Sequence, residues 1–171
     1  MAIHRLNHAV LFIRDLNTSV NFYTTVLGFT VATTIPGQAA FLRAPESSND
    51  HDLGLFQVGA SAAASPAGRG SVGLYHLAWE VSTLADLEQI QHDLAAAGAL
   101  GGASDHITTK SLYGKDPDGL EFEIVWLVPA HLMSGDMAMG TQPLDLAREM
   151  ERYGRDTRGG LGISIPLGVS V

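Results

Sequence analysis

Apolar and polar residues run through this chain in short blocks, and one order of blocks occurs twice. From Ile3 to Ile13 β-branched and apolar residues make a strand-like stretch, after which Asp15 or Asn17 can cap a helix. Val20, Phe22, Tyr23, Val26 and Leu27 fall near one face of that helix, predicted from about Asn17 to Leu27, and Gly28 ends it. FTVATTI, AAFLRA and HDLGLFQV follow as strands, the last two separated by the polar turn PESSND. These pieces make a β-α-β-β-β unit. The next stretch, GASAAASPAGRGSVG, cannot bury a core and reads as a connector.

Beyond the connector the order returns. LYHLAWEV is strand-like, Thr83 with Asp86 three residues on caps a helix through Ala97, and Gly98 terminates it. DHITTKSLYG and LEFEIVWLV are strands on either side of KDPDG, whose Pro, Asp and Gly suit a tight hairpin. Past Val128 the repeat stops: HLMSGDMAMGTQ is loop-like, LDLAREMERYG has the period of a short helix, and the Gly-rich end is irregular. The expected organisation is one α+β domain over 1–128, built from βαβββ modules at about 3–60 and 72–128, with an extension over 129–171 that carries no assigned chemistry.

Composition narrows the function classes. A chain of 171 residues, 46% hydrophobic and 16% charged, can bury one good core. The net charge of -8, with lysine only at 110 and 115 and the arginines scattered, leaves no basic face for nucleic acid or anionic lipid. No apolar run approaches the roughly 20 residues of a spanning helix. The start, MAIHRLNHAVLF, lacks the features of a signal peptide, so a soluble, cytoplasmic protein is expected. With no cysteine, a metal site must be made of His, carboxylate and other oxygen donors.

Among seven histidines, His8 and His76 hold matching places in the phrases LNHAVLFI and LYHLAWEV, each on the first strand of its half. Two neutral imidazoles on equivalent strands suit Fe, Mn, Co, Ni or Zn, with coincidence as the competing reading. In LEFEIVWL the two-residue period turns Glu121 and Glu123 to one face and Phe122, Ile124 and Trp126 to the other. A carboxylate facing inward there is costly unless it is paired or bound to metal, and on a solvated face it needs neither.

The two halves, His8, His76 and the phrase YGKDPDGLEFE together resemble the vicinal oxygen chelate superfamily, which includes glyoxalases, fosfomycin-resistance proteins and extradiol dioxygenases. The resemblance implies a curved mixed sheet around a metal held by His8, His76 and the Glu four positions after the Gly of the turn, here Glu123. Glyoxalases of this layout usually add a Glu on the last strand of the first half, where this chain reads LGLFQV with Gly54 at the corresponding place. The extradiol branch resembles the chain more closely. It places a Tyr just ahead of the turn, matched by Tyr113, an acid/base His matched by His51, and a further His matched, at shortened spacing, by His106.

The activity so implied is Fe(II)-dependent extradiol cleavage of a small catechol by O2, with Mn(II), Ni(II) or Zn(II) as other metals the triad accepts. Phe41, Phe56 and Trp79 are candidate pocket walls, and Arg43 or Lys110 could face a substrate carboxylate. Single-domain relatives commonly dimerise, so a homodimer is expected. The alternatives are a metal-dependent lyase, isomerase or thiol transferase that polarises an oxygen without O2, and a metal-free binding protein of the bleomycin-resistance type. Glu121, His4, His92 and His131 are expected to be structural or exposed.

Overall fold

The computed structural model describes residues 3, 5–133 and 140–160; His4, part of the loop before the C-terminal helix and the Gly-rich end lie outside the described residues. The chain divides into two compact units. The first runs to Pro66 and includes Asp116–Gly119; the second comprises Ala67–Lys115 and the chain from Leu120 onward.

The first unit has β1 (Ala9–Ile13), α1 (Leu16–Thr25), β2 (Thr30–Ile35), β3 (Ala39–Arg43) and β4 (Leu53–Gln57). They form one sheet in the order β1-β4-β3-β2, with β1 parallel to β4 and the other pairs antiparallel. Alternation decides the faces of the edge strand β1: Leu11 and Ile13 are buried, while Val10 and Phe12 are exposed. Central β3 and β4 bury Ala39, Ala40, Leu42, Leu53 and Leu55 completely. Asp15 caps α1 by accepting from the Thr18 N–H at 2.8 Å, so the helix begins one residue earlier than its apolar face suggests. α1 buries Leu16, Phe22 and Tyr23, each contributing roughly 1.5–3 kcal/mol.

The turn 116–119 is built as its sequence predicts. Asp116 Oδ1 accepts from the Asp118 N–H, and Gly119 sits at φ 83°, a conformation that a side chain disfavours. It clusters with the first unit through the Tyr23 hydroxyl, which donates to Asp116 at 3.1 Å, and through Arg14, whose backbone N–H and guanidinium hold both oxygens of Asp118. Burial, reinforced by the Asp116 carboxylate, pushes the Tyr23 phenol far above its ordinary range.

The second unit has β5 (Leu77–Glu80), α2 (Leu84–Ala96), β6 (Leu100–Asp105), β7 (Thr109–Lys115), β8 (Glu121–Leu127), β9 (Gln142–Pro143) and α3 (Leu146–Tyr153). The sheet order is β5-β8-β7-β6-β9, again with the first strand parallel to the last strand of the repeat. Thr83 and Asp86 form the expected capping box, and Leu84, Leu87 and Leu94 bury one side of α2.

Two departures from the sequence pattern matter. The stretch DHITTKSLYG is not one strand: it breaks at His106–Thr108, where Asp105 Oδ1 accepts the Ile107 N–H at 2.7 Å and Ile107 adopts φ 71°. The preceding β6 was hidden because LGGASD is rich in residues that strands disfavour. In addition, β9 joins the sheet beside β6, with Asp105 opposite Gln142 and Ser104 opposite Pro143. A proline is tolerated there because the strand is short and lies at the edge.

β7 and α3 also share a buried ionic cluster. Lys110, with none of its side chain exposed, lies 2.5 Å from Asp105 Oδ1 and 2.9 Å from Glu149 Oε2. Lys110 Nζ further donates to the Ile107 carbonyl and sits over the Tyr153 ring. This corrects its suggested role as a partner for substrate carboxylate: it points into the core.

At Gly114 a Cβ would stand 2.5 Å from Phe122 Cζ and 3.1 Å from the Ala99 carbonyl oxygen. Phe122 is buried, so the ring has little room to withdraw. Gly114→Ala is expected to cost about 1–3 kcal/mol, read as a lowered midpoint in urea unfolding; an unchanged midpoint would mean that the hairpin yields freely.

Candidate metal centre and its neighbours

In the second unit, strand register brings four of the sequence-predicted residues together. Leu77 pairs with Phe122 and Ala78 with Glu123, which sets His76, just ahead of β5, beside the Glu123 carboxylate. His76 Nε2 and Glu123 Oε2 are 3.1 Å apart. Two donors each about 2.1 Å from a divalent ion and at right angles around it are about 3 Å apart, so this spacing fits two neighbouring ligands of one metal. His76 Nδ1 is buried and meets no hydrogen-bond partner among the described residues, while Nε2 faces the Glu123 carboxylate.

Tyr113 is the β7 partner of Glu123, and its hydroxyl donates to Glu123 Oε1 at 3.3 Å. Burial first, then the Glu123 carboxylate, raises the Tyr113 phenol above its ordinary range, so it is neutral near pH 7. His106 Nε2 lies 2.8 Å from the Tyr113 oxygen, and His106 Nδ1 lies 3.0 Å from Thr141 Oγ1. These groups line a cavity of about 540 Å³ with Thr108, Thr109 and Gly140. Glu121, two residues before Glu123, instead reaches Lys115 at 3.2 Å on the surface.

The first unit holds the other two. His8 Nδ1 is 2.8 Å from Asn7 Oδ1. Because a carboxamide oxygen only accepts, that contact puts the proton on Nδ1 and leaves the Nε2 lone pair free. Asn49 anchors this segment by donating to the Asn7 carbonyl and to Asp52. The His51 ring lies 4.6 Å from that of His8 and meets Phe41 edge-on at 5.1 Å. Its Nδ1 is 3.0 Å from Asp50, whose carboxyl is held below the usual range chiefly by that hydrogen bond. His51 is therefore half-buried, not a free loop-end side chain. Phe41 also packs on Phe56 at 5.8 Å.

Among the described residues, no three His, Asp or Glu side chains gather into a metal-binding group. The first unit does contain a counterpart to the Glu123 position. Val10, two residues after His8, pairs with Gly54 just as Ala78, two residues after His76, pairs with Glu123. A Cβ on Gly54 would meet Val10 Cγ2 at 3.3 Å and Phe41 Cε1 at 3.6 Å, so apolar side chains occupy the space a carboxylate would need. His92 and His131 are exposed. Sequence reading missed Thr141, Gly140, Asn7 and Tyr75, the last with its ring 4.6 Å from that of His76. Only Asn7, adjacent to His8, carried a signal that could have been noticed.

A family model described as Glyoxalase/Bleomycin resistance protein/Dioxygenase superfamily matches residues 5–124. Catechol-2,3-dioxygenase of Bacillus subtilis (strain 168) is 28% identical over 157 residues, 90% of this chain and 53% of that protein. The chain thus spans about half the length of the curated relative it matches. Lactoylglutathione lyase from Agrobacterium tumefaciens superposes with a TM-score of 0.53 at 22% identity, covering 73% of this chain and 95% of that one. A genomically encoded fosfomycin resistance protein from Listeria monocytogenes gives 0.55 at 16% identity, covering 72% and 93%. These two structures speak for the fold alone.

Proposed function

The chain belongs to the glyoxalase/bleomycin resistance protein/dioxygenase superfamily, and from that premise we propose that it is an Fe(II)-dependent extradiol ring-cleaving dioxygenase acting on a small catechol. The proposed ligands are His8, His76 and Glu123. The observation that carries the reading is the side-chain row in the second unit, where Tyr113 and His106 stand in hydrogen-bond contact beside the His76–Glu123 pair. When bound, Fe(II) supplies Lewis acidity toward the catechol and the redox chemistry that O2 requires.

The chain's own residues then divide the remaining work. Tyr113, neutral and already donating to Glu123, can exchange that bond for one with a catechol hydroxyl and orient it. His106 holds the Tyr113 oxygen in place. His51 is the proposed acid/base: with Nδ1 turned to Asp50, its Nε2 is free to give and take a proton, and the ionised Asp50 supports the charged ring. The Gly54 register supports this branch over a glyoxalase-type lyase, which uses a second carboxylate. The homodimer belongs to the same proposal, and sedimentation velocity reads it directly. Among the described residues, no helix is long and apolar enough to cross a membrane.

Anaerobic reconstitution with Fe(II), followed by a panel of catechols, tests the reading. Stoichiometric O2 uptake with a yellow product is expected; bound metal with no O2 uptake across the panel would favour a lyase or transferase. Tyr113→Phe is expected to lower kcat by about 100-fold with Fe(II) content unchanged. A Tyr113→Phe enzyme with full kcat would remove Tyr113 from the chemistry.

A further inference from the structure

We propose that Thr141, in the segment beyond the repeat, is a positioning residue that anchors the His106 ring by donating to Nδ1, with the ring proton on Nε2. Three contacts in a row set the argument: Thr141 Oγ1 to His106 Nδ1 at 3.0 Å, His106 Nε2 to the Tyr113 oxygen at 2.8 Å, and the Tyr113 oxygen to Glu123 Oε1 at 3.3 Å. Tyr113 has one proton to give. An ionised carboxylate accepts more strongly than a neutral imidazole, so the phenol proton goes to Glu123 and the phenol oxygen becomes an acceptor. His106 Nε2 must then carry a proton to meet it, which makes Nδ1 an acceptor, and the Thr141 hydroxyl donates to Nδ1. In the opposite tautomer the lone pair of His106 Nε2 would face those of the Tyr113 oxygen with no proton between them.

Thr141 can anchor the ring only if its own position is held, and two ties through the neighbouring Gln142 hold it. The next two residues form β9 against β6, and Gln142 Nε2 donates to Asp105 Oδ2 at 2.8 Å. Asp105 is in turn locked by Lys110, which also holds Glu149 on α3. The residue therefore belongs to the second unit's sheet and not to a free tail. Its consequence for turnover rests on the dioxygenase reading above: a fixed donor on His106 keeps the Tyr113 oxygen oriented for the catechol. The tautomer itself does not depend on that reading.

The test uses protein labelled with 15N-histidine, as purified, with His106 assigned through His106→Asn. Long-range 1H–15N correlation spectra then report which ring nitrogen carries the proton. Wild type is expected in the Nε2–H form, Thr141→Val in the same form with its Nδ1 resonance shifted by loss of the hydroxyl's hydrogen bond, and Thr141→Ser with the wild-type resonances restored. Unchanged thermal midpoints would show that β9 stays docked. In the Fe(II) enzyme, loss of one neutral hydrogen bond is expected to lower kcat about 2- to 10-fold in Thr141→Val with KM little changed, and Ser is expected to restore it. An Nδ1–H wild type, or a Thr141→Val spectrum identical to wild type, would overturn the proposal. Absence of turnover in wild type would count against the dioxygenase reading alone, while the spectra still decide the role of Thr141.

Discussion

Glu123→Gln is expected to weaken Fe(II) binding by at least about 100-fold and to abolish catechol-dependent O2 uptake, while Glu121→Gln leaves both within about twofold. Changing a residue that merely supports a ligand typically costs 10- to 100-fold in metal affinity, so loss of a ligand itself should reach or exceed the upper end. The two glutamates share a strand face and differ by one pleat, yet their surroundings are unlike. Glu123 lies 3.1 Å from His76 Nε2 and accepts from Tyr113, whereas Glu121 pairs with Lys115 near the surface. The substitution keeps size and one acceptor oxygen for the Tyr113 hydroxyl, and it removes the charge and replaces the other oxygen by an amide NH2, so a folding defect is not expected. Fluorescence competition titrations with Fe(II) under argon would separate the pair; stronger loss in Glu121→Gln would reverse the ligand assignment.

Lys110→Met is expected to destabilise the protein by about 3–5 kcal/mol, because it leaves Asp105 and Glu149 buried without their counter-charge. For a chain of this size that corresponds to a fall of roughly 6–20 °C in Tm. Among the described residues the Glu149 Oε2 atom accepts no well-directed hydrogen bond but stands 2.9 Å from Lys110 Nζ, so its link is mainly Coulombic and cannot survive the change. Lys110→Met with Glu149→Met should recover part of the loss, since a matched apolar replacement no longer strands that charge.

The pH dependence of this defect has a definite sign. Burial alone would raise the Asp105 carboxyl, but Lys110, Gln142 and the Ile107 N–H outweigh it and hold the group below its usual range. Its contribution is therefore present above the unfolded value near ~3.9 and lost as pH falls through the lower folded value. Without Lys110, burial is less opposed and the carboxyl rises, so the variant's deficit should shrink on acidification. Urea unfolding between neutral and acid pH reads the difference; a deficit constant across that range would mean that Asp105 is not coupled to Lys110.

How far the site is legible in the sequence differs from residue to residue. His8 and His76 stand out because similar phrases at matching places need no structure to be noticed, and the strand registers make their positions equivalent in the two units. Tyr113 and Glu123 follow from the DPxG turn, whose fixed geometry starts β8 and so sets which β8 residue faces which on β7. His51 was ambiguous, since nothing in HDLGLFQV says that Phe41 and His8 pack on it. Thr141 was invisible: a two-residue strand has no period to detect.

By itself the sequence determined the twofold recurrence of strand, helix and strands, the capping box of α2, the Asp-Pro-Asp-Gly turn and the faces of the alternating strands, because each of these depends on residues a few positions apart. Tertiary structure alone decided that LGGASD forms β6, that Lys110 turns inward to two carboxylates, and that Gln142–Pro143 join the sheet while Gly140 and Thr141 wall the cavity. β6 is held as a strand by its pairing with β7 against its own propensity, β9 pairs with a segment more than thirty residues away, and the Lys110 charge is stabilised only once its partners arrive. No local period or propensity encodes them.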